Sequence, residues 1–395
     1  MRFLFVINSL GRGGAEKQVL LLAYAMAKLG WSGEVITFEK RETNLEIEDL
    51  IVRCQALGIK ISQPPFRLFR RTILYARILL RYYFSKMDLV WLWGAKIEAV
   101  AKVLLLRKDG TTIFSSLRSA GRDVVAKRSS IYRFRQGLID AYISNSHLNI
   151  AIFKEFVTFL EKKSSHGPRF FVLNNCLGLE TNPPAFKSES VRCDHDAVQE
   201  TVDSEQDRGI KNGEHGLRIG VLGNNRFYIK GYDLLIEVAK KIKRSGRAIK
   251  ISLAGKDYEG DLSDKIAQND VADVISYIGE VDDSKGFLLK QDLFLLTSRV
   301  EGMPNSLIEA MSLGIPSIST KVGDLDRLFG AVDALRLCEI EDIDSIFDSI
   351  CWCQDHRDKA FAMGARGKES VHSQMSFLSI QEKLGDILEE FGLRT

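Results

Sequence analysis

Along the first half of the chain, short apolar runs alternate with longer segments whose apolar residues recur every three or four positions. Runs over residues 3–7, 32–37, 89–93, 112–115 and 141–144 have the length and apolar content of buried strands, and a further run at 170–173 closes the series. Residues 16–29 set Val19, Leu20, Leu22, Ala23, Met26 and Leu29 on one face, the pattern of an amphipathic helix. The second half restarts the alternation, with strands predicted over 217–222, 249–254, 274–278, 293–297 and 317–320 and a helix over 231–245. Strands spaced by crossover helices predict parallel sheets. The expected fold class is therefore α/β, two Rossmann-like domains facing each other across a cleft.

The length changes this picture only by confirming that there is room for both. A chain of 395 residues exceeds one ordinary core and suits two domains of about 180–200 residues. From 183 to 215 the sequence turns polar and charged, which assigns a linker there, an N-terminal domain to 1–182 and a C-terminal domain to 216–374. Residues 377–391 have the apolar spacing of a surface-packed helix, so 375–395 is expected to close the chain as a helical segment. The chain is 45% hydrophobic, and it holds no apolar run near the length of about 18 residues that suggests a membrane span, so solubility is expected. The apolar run after Met1 and Arg2 is short for a signal-peptide core, and the six cysteines form no disulfide framework or closed zinc set. Reduced thiols and a cytoplasmic setting follow as expectations.

Net charge is only +3, but it is unevenly spread. Up to residue 190 there are 29 Lys and Arg against 16 Asp and Glu, and beyond it 26 against 36. A basic N-terminal half facing an anionic partner is one reading of that split; solvated faces on two domains are the other.

The stretch with the most chemistry is Ser298-Arg-Val-Glu-Gly-Met-Pro-Asn-Ser-Leu-Ile-Glu-Ala-Met-Ser-Leu-Gly-Ile-Pro316. It follows an apolar strand, breaks it at Gly302, Pro304 and Asn305, opens a helix, and ends that helix at Gly314 and Pro316. A loop entering a helix N-terminus presents unpaired N–H groups and a positive dipole end, which suit a phosphate. Glu301 on the loop and Glu309 on the helix can then flank one ligand, with the amides of 302–306 turned to its anionic part. Lys230, seven positions after Gly223 at another strand-to-helix turn, is placed to reach such phosphates.

The whole string closely resembles the donor-site signature of glycosyltransferase family 4, retaining enzymes of the GT-B fold. The similarity extends to the apolar run at 3–7 with the glycine loop at 11–15, and to 217–223 followed by Lys230-Gly-Tyr-Asp. It implies a nucleotide-diphosphate-sugar donor, most simply a UDP-sugar, bound mainly by the C-terminal half, and a closing helix at 375–395 that crosses back to the N-terminal domain. Lys230 would neutralise the leaving diphosphate, Glu301 would contact the donor sugar and Glu309 the ribose hydroxyls. Gly302, Met303, Asn305 and Ser306 would line the donor site, with Gly13 and Gly14 beneath its phosphate. Residues 230, 301 and 309 would thus converge on one nucleotide-sized hollow. Two departures stand out: the family's Arg after the glycine is Asn224, with Arg226 as a candidate substitute, and the family's cleft-facing His is replaced by Arg118, an acceptor-side candidate or a surface salt-bridge former.

Residues 66–86 carry six basic residues among apolar and aromatic ones and no acid. They suit an anionic membrane surface, or equally a helix packed on the sheet with its arginines in water. The pairs Asp194/Asp196, Asp324/Asp326 and Asp342/Asp344 mimic a metal-binding motif without its strand context, so no essential metal or other cofactor is expected. The resemblance points to transfer onto a lipid-linked glycan acceptor in surface polysaccharide synthesis, with no nucleic-acid partner. A sugar-nucleotide epimerase or hydrolase on the same fold, and a non-catalytic nucleotide-sugar-binding protein, are the alternatives.

Overall fold

The structure is a computed structural model, described here over residues 1–11, 14–40, 43–62, 86–93, 110–117, 139–151, 154, 169–179, 216–224 and 226–393. Two parallel sheets organise it. The first runs β3-β2-β1-β4-β5-β6-β7, where β1 is Arg2–Leu10, β2 Ser32–Lys40, β3 Lys60–Ser62, β4 Leu89–Trp93, β5 Thr112–Leu117, β6 Ala141–Ser144 and β7 Arg169–Val172. The second runs β10-β9-β8-β11-β12-β13, with β8 Leu217–Leu222, β9 Ile249–Ala254, β10 Ile275–Gly279, β11 Leu293–Leu296, β12 Ser317–Thr320 and β13 Arg336–Cys338.

Each predicted strand has its counterpart, with ends shifted by a few residues. The central strands are buried on both faces, which is why they read as unbroken apolar runs: every residue of β4, β6 and β11 is buried. Under the first sheet, Phe5, Trp91 and Phe114 meet edge to face with centroids 5.3 and 5.6 Å apart. Phe3 packs so closely on β2 that a Cβ at Gly33 would stand 2.5 Å from its ring.

The predicted helix at 16–29 is α1, Gly14–Lys28, with Val19, Leu20, Leu22, Ala23 and Met26 buried. Leu45–Ala56 follows as α2, capped by the Asn44 side chain on the Ile47 amide. In the second lobe Tyr232–Ser245 is α3, Leu262–Gln268 α4, Ser284–Leu289 α5, Asn305–Ser312 α6 and Leu325–Phe329 α7. Ile343–Asp355, Arg357–Met375 and Phe377–Glu389 follow as α8, α9 and α10. Although last in sequence, α10 buries Ile380, Leu384, Ile387 and Leu388 in the hydrophobic core of the first sheet, so the chain ends on the lobe where it began.

Helix α9 shows no strong apolar stripe because its buried positions include Gly364 and Gly367. A Cβ on either would meet the backbone oxygen of Gly314 at 2.4 Å or of Ala334 at 2.9 Å. Close backbone approach, rather than bulky apolar contact, seats α9 against the end of α6. The polar segment assigned as linker, residues 183–215, and nearly all of the basic segment 66–86 lie outside the described residues, as do Gly13 and Arg118.

Candidate functional site

In a doubly wound sheet, ligands gather beyond the carboxyl ends of two adjacent strands whose connections leave in opposite directions. In the second sheet those strands are β8 and β11. The chain leaving β8 carries Lys230, and the chain leaving β11 carries Ser298 to Glu301.

These two loops are interlocked. Lys230 Nζ stands 2.5 Å from Glu301 Oε1, an oxygen that also accepts from Ser298 Oγ at 3.0 Å. The side chains are 23% and 17% exposed, so the pair is reachable from solvent without being fully hydrated. Thr297 Oγ1 donates to the carbonyl of Lys230 at 2.9 Å. Gly231 then begins α3 in the left-handed region at φ 64°, where a Cβ would lie 2.0 Å from the Thr297 carbonyl oxygen. Only glycine lets the Lys230 loop settle this closely on β11. Tyr232 donates its hydroxyl to the Gly223 carbonyl at 2.7 Å, and burial, with the nearby Glu301 charge, holds the phenol far above its ordinary range.

Arg299 fastens the same two loops from behind. Its backbone N–H donates to Ile229 at 2.8 Å. Its guanidinium reaches the Tyr228 carbonyl at 2.8 Å, both Asp233 oxygens at 2.6 and 2.8 Å, and both Glu341 oxygens at 2.5 and 2.9 Å. All five of its N–H donors are thereby used. Hydrogen bonds to Glu341 and Asp233 raise an already basic group further.

Beyond Glu301 the chain buries Gly302 and Met303 and enters α6 at Pro304, with no side chain capping the helix. Its first-turn amides are therefore left for an anion. Ser306 is half-buried on this turn. Asn305 faces the other lobe: Asn175 Nδ2 donates to its Oδ1 at 2.6 Å and to the Met303 carbonyl at 3.3 Å. Gly14, the first residue of α1, lies so close that a Cβ would meet Asn305 Nδ2 at 1.8 Å. Gln18 holds the Asn175 segment to α1 through reciprocal bonds with Cys176 of 2.8 and 2.6 Å.

One turn into α1, Lys17 crosses the cleft. Its Nζ is 3.1 Å from Glu309 Oε1 on α6 and 2.6 Å from Glu46 Oε1 on α2, with the side chain 10% exposed. Burial alone would lower this ammonium, but the two carboxylates outweigh it and hold the pKa above the lysine range. The structure therefore brings together Lys230 with Glu301, and Gly14 with Asn305. Glu309 is joined instead to Lys17, a residue that the sequence reading passed over; its one available signal was a cation two positions beyond the glycine loop.

Arg226 is exposed, and its backbone carbonyl accepts from the Lys230 amide at 2.9 Å. Asn224, where the resemblance expects arginine, accepts from the Lys256 amide at 3.0 Å and so ties the loops after β8 and β9. Members of two of the three aspartate pairs are engaged by protein groups. Asp324 binds amides of the other lobe, Asp342 caps α8 on the Ser345 amide, and Asp344 pairs with Lys241. Among the described residues no three His, Cys, Asp or Glu cluster as a metal site, and no helix is long and apolar enough to cross a membrane.

Comparison with known proteins bears on this geometry. The family described as Glycosyl transferases group 1 matches residues 216–356. N-acetyl-alpha-D-glucosaminyl L-malate synthase of Bacillus anthracis is 32% identical over 104 residues, 26% of this chain and 27% of its own length. The lipopolysaccharide core biosynthesis mannosyltransferase LpsB of Rhizobium meliloti is 29% identical over 125 residues, 31% of this chain and 35% of its own. The matched stretch thus spans at most 35% of either relative. Among solved structures, Anabaena HepE in complex with UDP-glucose aligns over 99% of this chain and 100% of its own, with a TM-score of 0.73 at 15% identity, a likeness of fold. Residues 216–356 thus match the group 1 glycosyl transferases, and the chain as a whole has the GT-B architecture.

Proposed function

We propose that the chain is a retaining glycosyltransferase of family 4, moving a sugar from a UDP-sugar to a glycan acceptor. The observation that carries this reading is the Lys230–Glu301 pair, 2.5 Å apart at the switch-point crevice and next to the uncapped start of α6. A cation, open helix amides and a hydroxyl-accepting carboxylate are the three things a nucleotide-diphosphate sugar requires. HepE was solved with UDP-glucose, and LpsB is named for lipopolysaccharide core synthesis. Both support a sugar-nucleotide donor and a surface-glycan setting for this chain.

In this reading the diphosphate sits on the first-turn amides of α6 and the glycine loop at Gly13 and Gly14, with Lys230 on its oxygens and Arg226 supplying charge from the rim. Glu301 accepts from hydroxyls of the donor sugar, and Glu309 from the ribose. The acceptor oxygen bonds to the anomeric carbon on the face from which the phosphate oxygen departs. The acceptor hydroxyl's proton passes to that phosphate oxygen, and Lys230 meets the charge growing on the leaving group. No metal step is invoked. The 1–182 domain, with Arg118, selects the acceptor; a lipid-linked glycan fits its basic character, with 66–86 resting on an anionic membrane surface from the cytoplasmic side. A non-catalytic nucleotide-sugar-binding protein is the second reading, favoured by Asn224 where a phosphate-binding arginine is expected.

A thermal-shift panel of UDP-, GDP- and dTDP-sugars tests the donor. A ligand at a hundred times its Kd adds about 2.7 kcal/mol of stability, which is readily seen as a higher Tm. UDP-sugars alone should produce it. No shift with any nucleotide sugar overturns the proposal, and binding without turnover on any glycan acceptor selects the second reading.

A further inference from the structure

Asp324 lies on the loop leaving β12, buried with 6% of its surface exposed. Among the described residues, the four contacts of its carboxylate are all with the other lobe. Asp324 accepts from Ser146 Oγ at 3.0 Å, from the His147 amide at 2.6 Å, from the Leu148 amide at 3.0 Å, and meets His147 Nδ1 at 2.8 Å.

Those donors are the open end of a helical segment that begins at His147, just after β6. The first amides of a helix lack internal acceptors. Here Ser146 Oγ serves the Asn149 amide at 3.4 Å, leaving those of His147 and Leu148 to Asp324. One lobe thus caps a helix of the other with a negative charge, where the helix dipole favours it. Burial alone would raise the Asp324 pKa, but these hydrogen bonds outweigh it and hold the carboxyl below its ordinary range.

The grip is passed on through Gly323. This residue is left-handed at φ 57°, and a Cβ on it would stand 2.1 Å from the Gly302 carbonyl oxygen and 3.3 Å from that of Glu301. Thr320, at the end of β12, donates to the Ser298 carbonyl at 2.5 Å. The 320–324 segment is therefore packed directly under the loop that carries Glu301.

We infer that Asp324 is a positioning residue: it clasps the N-terminal lobe in the closed arrangement and, through Gly323, sets the Glu301 loop only when the lobes meet. The clasp itself needs no substrate, and its consequence for turnover rests on the function proposed above.

Small-angle X-ray scattering of the ligand-free full chain tests the clasp. Asp324→Asn keeps the volume but replaces one acceptor oxygen with an NH2 that faces a backbone N–H in either orientation, that of Leu148 or that of His147, and it should scatter with a larger radius of gyration than wild type. Ser146→Ala with His147→Phe removes two of the four contacts and should open the lobes to an intermediate degree; this variant decides the matter if Asp324→Asn does not fold. UDP affinity by calorimetry should stay within about threefold, because the residues assigned to the nucleotide lie mainly in the C-terminal lobe, while UDP release from UDP-glucose should fall by about 10- to 100-fold, the effect of an ångström-scale misplacement. Scattering that superimposes on wild type in both variants overturns the inference. If wild type neither binds UDP nor releases it from UDP-glucose, the proposed function fails while the scattering still judges the clasp.

Discussion

Lys17→Met removes the cation that joins Glu309 to Glu46 while keeping most of the side chain's buried length. Losing one partner of a buried pair costs about 3–5 kcal/mol where water cannot enter. Here the Glu309 and Glu46 side chains are 24% and 47% exposed, so solvent takes up much of the orphaned charge. The loss expected is about 1–2 kcal/mol, between the surface and interior limits. In a domain of this size that corresponds to a fall in Tm of about 2–8 °C.

The pH dependence follows from the raised lysine. A group whose folded pKa exceeds its unfolded value, about 10.4 for lysine, contributes its full stabilisation below that unfolded value. The contribution fades only as pH climbs through the folded pKa. The Tm gap between wild type and Lys17→Met should therefore be flat from neutral to mildly alkaline pH and shrink only in strong alkali. The decisive assay is a double-mutant cycle of Lys17→Met and Glu309→Gln by denaturant unfolding. Additivity within about 0.3–0.5 kcal/mol would mean that the two side chains are not coupled, and the cross-lobe ion pair would be refuted.

Three more perturbations test the donor lobe. Glu301→Gln should lower turnover by about 10²–10³, the usual consequence of removing one charge-placing group from a reacting centre, with circular dichroism unchanged; wild-type turnover would remove Glu301 from the mechanism. Gly231→Ala should destabilise by more than the roughly 1–2 kcal/mol of a left-handed residue, because its methyl also meets the Thr297 carbonyl, and a urea midpoint equal to wild type would contradict that packing. Arg299→Lys keeps the charge but has three donors for five acceptor positions, so a loss of about 2–3 kcal/mol is expected in denaturant unfolding.

Much of this was legible from the sequence, for identifiable reasons. The central strands announce themselves because they are buried on both faces, and the Glu301-to-Glu309 segment because its glycine, proline and asparagine have no other use between a strand and a helix. The edge strands β3 and β13, three residues each, are too short to carry a pattern. Helix α9 was hidden because glycines, not large apolar residues, face its partners. What escaped at the site were groups whose function depends on the other lobe. Lys17 is an ordinary surface-type residue until α6 is brought against it, and Asp324 looks like half of a stray acidic pair until the helix at His147 arrives. Arg299 was quoted within the motif without a task, since its acceptors are dispersed from Tyr228 to Glu341.

The ion pairs also bear on how an anion enters a site that holds two glutamates. Left alone, Glu301 and Glu309 would repel a diphosphate; paired with Lys230 and Lys17, they present a nearly balanced cluster beside the positive end of α6. Under the proposed function the carboxylates then serve only the hydroxyl-bearing part of a donor, since bare UDP offers Glu301 no sugar to bind. Glu301→Gln separates the two contributions: it releases Lys230 from its partner, so UDP should bind at least as tightly as to wild type, while the sugar loses its strongest acceptor and the preference for UDP-sugar over UDP should narrow. Calorimetric titration of both ligands into both proteins reads this directly. A variant that loses UDP and UDP-sugar affinity in equal measure would show that Glu301 supports the loop instead of the sugar.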